Sequence, residues 1–174
     1  MSRRVELRRH TDNESDVLTP DGVRAALQIG AGLDADYAVI VSSGAQRATQ
    51  SAACILAALG RQVPGGVVVD SRFRSDVEDR WRSAYEAAGA GDIESFRRVD
   101  PELVATEAAL LGAALKATFE RLTDGERALV VGHSPMQEVA VYGLVGEVVE
   151  PLGKGEGIVV IEKNERYRVE SPIT

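Results

Sequence analysis

Short apolar runs of β period alternate along this chain with longer stretches that carry one apolar or small face at helical spacing. Residues 5–9, Val-Glu-Leu-Arg-Arg, place apolar side chains on alternate positions and read as a first strand. A polar loop, residues 11–16, separates it from a helix start. There Thr19 suits the N-cap, Pro20 the first helical position and Asp21 the positive end of the dipole. Val23, Ala26, Leu27 and Gly30 supply that helix with a face, and Gly30 and Gly32 mark its end. Residues 37–41 form an apolar, β-branched run that closes in the turn Ser42-Ser43-Gly44. An alanine-rich helix over 45–59 follows, ended by Gly60, then a short strand over 66–69.

Beyond it, residues 70–91 are charged and irregular, with helix expected over 78–88. A long helix is expected over 101–122, broken by Asp124-Gly125. Residues 127–132 make the most apolar strand, 135–145 a helix, and 157–162 pairs with 167–170. Strands alternating with helices predict an α/β protein: a three-layer α/β/α arrangement around a mostly parallel central sheet. With no internal repeat and no low-complexity linker, the whole chain reads as one domain, with 70–100 as an insertion or cap over the site.

Composition narrows the classes. An apolar fraction of 44% over 174 residues is enough for a core of ordinary size. The net charge of −7 argues against a general nucleic-acid or anionic-membrane binder, although Arg3-Arg4, Arg8-Arg9 and Arg97-Arg98 leave a local anion site open. Cys54 is the single cysteine, which excludes an intrachain disulfide and a thiolate metal cage; its apolar neighbours place it on a buried helix face as an inert core residue. No apolar segment reaches the roughly 20 residues needed to span a membrane. The N-terminal arginines are not followed by the apolar region of an export signal, so a cytoplasmic protein is expected.

The two histidines carry the chemical interest, because each ends a predicted strand: His10 after residues 5–9 and His133 after 127–132. In open α/β sheets ligands bind beyond the carboxyl ends of the strands, so two strand tips far apart in sequence can meet at one site. Arg9-His10 would join a forked donor for phosphate oxygens to a nucleophile, or form a surface pair at a loop. Arg47 stands in the first turn of a helix, where a cation opposes the dipole and a bound anion would explain it; a solvated arginine is the alternative. His133, between a strand and a helix start, would donate to a phosphate oxygen or be a satisfied structural histidine.

Taken together, these segments resemble the histidine phosphatase superfamily, the phosphoglycerate-mutase-like proteins. Arg9-His10 is similar to the family's Arg-His-Gly signature. Leu18-Thr19-Pro20-Asp21-Gly22-Val23-Arg24-Ala25-Ala26 is similar to its Leu-Thr-x-x-Gly-x-x-Gln-Ala helix start. Ser42-Ser43-Gly44-Ala45-Gln46-Arg47-Ala48-Thr49-Gln50-Ser51-Ala52 resembles its Ser-Ser-Pro-x-x-Arg-Ala-x-Gln-Thr-Ala block, and Val130-Val131-Gly132-His133 its second-histidine strand. The resemblance implies a phosphoglycerate-mutase-like fold and a phosphatase that works without metal or other cofactor. His10 would attack phosphorus and water would hydrolyse the phosphohistidine, while Arg9, Arg47 and His133 hold the phosphate oxygens. The nearby guanidiniums are expected to depress the pKa of His10 and keep it neutral for attack.

Three positions depart from the pattern. Thr11 replaces the glycine after the first histidine, which would hinder or alter the approach of backbone to phosphate. Arg8 takes an apolar place and would line the site or reach solvent, the latter being preferred. In mutase-like members a glutamate acid lies in a Leu-x-Glu-x-x-x-Gly-x-Trp context. Aligning Phe73 and Trp81 with it puts Ser75 at the acid, leaving Asp76, or second Glu78, to supply the proton. Val131-Gly132-His133-Ser134-Pro135 also resembles a segment of the small SixA-type phosphohistidine phosphatases. A phosphorylated small molecule or a phosphohistidine protein is therefore the expected partner. The alternatives are a non-catalytic phospholigand-binding member and a phosphoglycerate-mutase-type phosphotransferase. Gly153-Lys154-Gly155-Glu156-Gly157 lacks the upstream glycine and the hydroxyl of a phosphate loop and reads as a turn; Glu147, Glu150 and Glu156 read as a solvated acidic rim. Oligomeric state is not legible in the sequence.

Overall fold

The structure is a computed structural model and describes residues 2–173. Its element order is β1 (Arg3–Arg9), β2 (Asn13–Glu14), β3 (Val17–Leu18), α1 (Pro20–Gly32), β4 (Val39–Ser42), α2 (Gln46–Leu59) and β5 (Val67–Val69). A 3₁₀ turn (Ser71–Phe73) follows, then α3 (Glu78–Ala88), α4 (Ile93–Val99), α5 (Pro101–Glu120), β6 (Arg127–Gly132), α6 (Met136–Val145), β7 (Gly157–Lys163) and β8 (Arg166–Ile173). Six strands form one sheet in the order β5-β4-β6-β1-β7-β8. β5, β4, β6 and β1 run parallel, and β7 and β8 add an antiparallel edge beside β1.

Strand alternation builds two cores. Val5 and Leu7 of β1, Val39 and Val41 of β4, and Ala128 and Val130 of β6 face one side, where α3, α4, α5 and α6 cover them. Ile40, Leu129 and Val131 face the other, under α1 and α2. The α1 start follows the sequence: Thr19 Oγ1 accepts from the Gly22 amide at 3.0 Å and Pro20 opens the first turn. A Cβ at Gly22 would lie 2.0 Å from the Asp12 carbonyl oxygen, so glycine lets α1 press on the loop that follows β1.

Three expectations need amendment. The segment 11–16 is not all loop, because Asn13–Glu14 pairs with Val17–Leu18 in a small hairpin. Within 70–100 the chain adds the 3₁₀ turn and α4, which has too few residues to show a periodic face. Arg8 does not reach solvent. It is 4% exposed, on the α1–α2 side of the sheet, where its Nε donates to Glu6 Oε1 (2.6 Å) and one Nη to the Gly155 carbonyl (2.8 Å). Glu6 also accepts from the Tyr37 hydroxyl at 2.6 Å, so the buried charges of β1 satisfy one another rather than the site.

Candidate active site

The site is built where three neighbouring parallel strands end. His10 follows β1, Ser43 follows β4 and His133 follows β6. The ladder continues past the strands: the His10 amide donates to the Gly132 carbonyl (2.9 Å) and the Ser43 amide to the Val131 carbonyl (3.1 Å). The two imidazoles therefore meet, with ring centroids 5.3 Å apart and planes at 58°. Both are buried, at 5% and 6% exposure.

Each ring has one nitrogen assigned by its partner. His10 Nδ1 lies 2.8 Å from the Thr11 carbonyl oxygen, which can only accept. In the neutral ring the proton is therefore on Nδ1, and Nε2 keeps its lone pair. His133 Nε2 lies 2.7 Å from Ser43 Oγ, while its Nδ1 is buried with no partner among the described residues. Arg9 Nε is likewise buried without a partner, although its Nη1 donates to the Leu152 carbonyl at 2.9 Å. If Nε2 of His133 accepts from Ser43, two uncommitted N–H donors flank the nucleophile.

Burial is the first cause of the histidines' neutrality. It pushes His10 down to about 4, against the opposing Thr11 carbonyl, and the charges of Arg47, Arg9 and Lys154 add to the fall. His133 is pushed down to about 3, again by burial first and then by Arg47, His10 and Arg74. The guanidiniums thus depress His10 as expected, but by less than desolvation does. Thr11 does not crowd the site. Its hydroxyl donates to the Gly22 carbonyl (2.7 Å) and its amide to Ser51 Oγ (3.1 Å), which turns the side chain toward α1 and α2.

Arg47 comes from the first turn of α2, and Ala45 gives that helix no side-chain cap. Asp16 supplies one instead. It accepts from the amides of Gln46 (3.2 Å) and Arg47 (3.4 Å) and pairs with Arg47 Nη1 at 2.7 Å. The helix start thus does attract an anion, but a carboxylate of the chain itself, and nothing in the sequence marked Asp16 for that place. Lys154, within reach of His10's charge and paired with Asp12 at 2.8 Å, and Glu138 were also missed. Glu138 is buried and its carboxyl is pushed up by burial. Its Oε1 accepts from Ser134 Oγ (2.5 Å) and from the Leu152 amide (2.7 Å), and so braces the same residue whose carbonyl holds Arg9.

The candidate acids separate. Glu78 lines a cavity of about 290 Å³ together with Arg47 and His133, and it pairs with Arg74 at 2.8 Å. Asp76 is exposed and does not line that cavity; it lines one beside Arg72, Arg80 and Leu110 and a second that it shares with Glu78. Ser75 is buried and its hydroxyl donates to Glu107, which also accepts from Trp81 Nε1 at 3.2 Å. Cys54 is half-buried and its thiol is pushed up by burial, as an unreactive packing residue would be. Among the described residues, no group of three or more His, Cys, Asp and Glu side chains is arranged to hold a metal ion, and no helix is long and apolar enough to cross a membrane.

No protein-family profile and no curated protein sequence matches the chain. Solved structures do. A phosphoglycerate mutase from Bacillus anthracis superposes with a TM-score of 0.73 at 20% identity, over 98% of this chain and 92% of that one. A phosphoserine phosphatase from Entamoeba histolytica, in complex with 3-phosphoglyceric acid, superposes with a TM-score of 0.75 at 16% identity, over 99% and 97%. A putative phosphohistidine phosphatase SixA from Agrobacterium tumefaciens gives 0.59 at 17%, over 98% and 96%. At these identities the likeness is one of architecture, and it extends over nearly the whole chain: this protein has the phosphoglycerate-mutase-like α/β fold.

Proposed function

We propose that this protein is a phosphatase that hydrolyses a phosphorylated substrate through a phosphohistidine on His10. One observation carries the reading: a neutral imidazole with a free Nε2 lone pair lies 5.3 Å from the His133 ring, whose Nδ1 is buried without a partner among the described residues, as is the Nε of the adjoining Arg9. Buried donors without partners are uncommon and cost about 1–3 kcal/mol each, so a site that keeps them gains by pairing them with an anion.

In the first step His10 Nε2 gives its electron pair to phosphorus and the bond to the leaving group breaks, with the pair passing to the departing atom. Arg9, Arg47 and His133 hold the phosphoryl oxygens as charge moves across them. Arg47 is freed for this by exchanging Asp16 for phosphate. Glu78, the carboxyl group in the cavity, is released from Arg74 and in its protonated form gives a proton to the leaving alkoxide, then takes one back from the water of the second step. In the second step water attacks phosphorus, the P–N bond breaks, and inorganic phosphate leaves with His10 restored. The solved structures of similar fold include proteins named for phosphoserine, phosphoglycerate and phosphohistidine, which supports a phosphorylated partner.

The competing reading is a binding protein without turnover. It is favoured by Ser75, whose hydroxyl is committed to Glu107 where a carboxylate acid would be expected. Brief reaction with a ³²P-labelled aryl phosphate, followed by quenching, separates the two. Acid-labile, alkali-stable label on the native protein and none on His10→Ala is expected. Label that survives His10→Ala would remove His10 as nucleophile, and a native protein without label or turnover would leave the binding reading.

A further inference from the structure

The cavity next to the proposed phosphate site is lined by a cluster of aromatic side chains. Arg47 and His133 stand at one side. Around the rest are the indole of Trp81, the ring of Phe96, Tyr85, Pro135 and Met136. Trp81 and Phe96 are fixed edge-to-face, with centroids 5.1 Å apart and planes at 83°, and each is buried below 5% exposure. Glu107, accepting from the indole N–H, locks the Trp81 ring in that pose. Tyr85 is different: it is 55% exposed, an aromatic ring left at the rim. Its neighbours on α3 supply the remaining charges. Arg82, paired only with the exposed Asp79 at 2.9 Å, and Glu78 stand among the rings as one cation and one acid at the exposed side of the cavity.

We infer that the substrate is a phosphomonoester of a ring-bearing alcohol or phenol, whose ring occupies the cavity walled by Trp81, Tyr85 and Phe96. This rests on the phosphatase reading above and adds the substrate class to it. The volume of about 290 Å³ sits at the lower edge of small-molecule sites, roughly 300–1,000 Å³, which suits one ring system rather than a peptide. A small substrate without a ring would leave the faces of Trp81, Tyr85 and Phe96 uncovered. An aromatic group instead gains offset or edge-on contacts with fixed rings.

Non-hydrolysable phosphonates test this without turnover. Trp81 is the single tryptophan of the chain, so its emission reports occupancy of the cavity directly. Benzylphosphonate is expected to change that emission and to bind the native protein about ten-fold more tightly than 3-phosphonopropionate. Tyr85→Ala, a change at an exposed position, is expected to weaken benzylphosphonate several-fold and leave 3-phosphonopropionate unaffected. In turnover, naphthyl phosphate is expected to exceed phosphoserine and a phosphohistidine peptide in kcat/KM. Equal affinity for the two phosphonates, a preference for the carboxylate compound, or faster turnover of the phosphohistidine peptide would overturn the substrate class. If His10 is labelled by phosphate while the aryl preference is missing, only this inference falls. If label, turnover and phosphonate binding are all absent, the phosphatase reading falls and takes it along.

Discussion

At the scale of single residues, Asp16 has the most direct consequence for ligand affinity. Its carboxylate occupies the anion seat at the start of α2 and neutralises Arg47. Phosphate must compete with it. Asp16→Asn keeps an acceptor for the amides but removes the charge, so the inhibition constant of inorganic phosphate should fall roughly two- to five-fold, the size of a partly exposed ion pair. Weaker phosphate binding would show instead that Asp16 is needed to aim Arg47. The acid can be assigned in the same way. Glu78→Gln should reduce kcat on an alkyl phosphate about 10²-fold and far less on a nitrophenyl phosphate, whose leaving group needs no proton. Asp76→Asn should leave both substrates within about two-fold. Similar losses from the two variants would remove Glu78 from the role.

At the scale of elements, the site depends on how closely the helices approach. α5 and α6 pack through Gly112 and Gly143, and a Cβ on Gly143 would lie 1.9 Å from the Ala108 carbonyl oxygen. α6 begins three residues beyond His133, so this contact also sets the strand-to-helix turn that carries the ring. Gly143→Ala must push the helices apart and should cost about 1–3 kcal/mol, read as a lower urea midpoint with an unchanged slope. An unchanged midpoint would mean that the α5–α6 contact yields freely.

At the scale of the whole molecule, the two neutral histidines make stability depend on pH. Their folded pKa values, about 4 and about 3, lie below the ordinary 6.5 of an unfolded chain. Between those values the unfolded chain takes up protons that the folded protein refuses, so stability rises with pH in that window and is lost as pH falls from 6.5 toward 4. His10 alone would account for roughly 3 kcal/mol of that loss. The Glu138 carboxyl, pushed up by burial, acts in the opposite sense. Urea midpoints measured from pH 7 to pH 4.5 should therefore decline in the native protein and decline less in a His10→Asn, His133→Asn double variant. Equal declines would place the acid sensitivity elsewhere.

Much of the fold was local and therefore readable. Thr19 and Pro20 start α1 through bonds within one turn, and the apolar runs around Ile40 and Val130 need burial on both faces, as a parallel sheet provides. His10, Arg9, Arg47 and His133 were singled out as a set by their places at strand ends and a helix start together with the family resemblance. What tertiary structure alone decided depends on partners distant in sequence. Arg8 is buried because Glu6 is buried on the same face, and Asp16 caps α2 from 30 residues away. Glu78 joins the cavity and Asp76 leaves it because α3 begins between them, which fixes the direction of each side chain. The neutrality of the two histidines belongs to the tertiary structure as well. Charge is visible along a sequence, but the desolvation that dominates both pKa values exists only once the strand tips are covered.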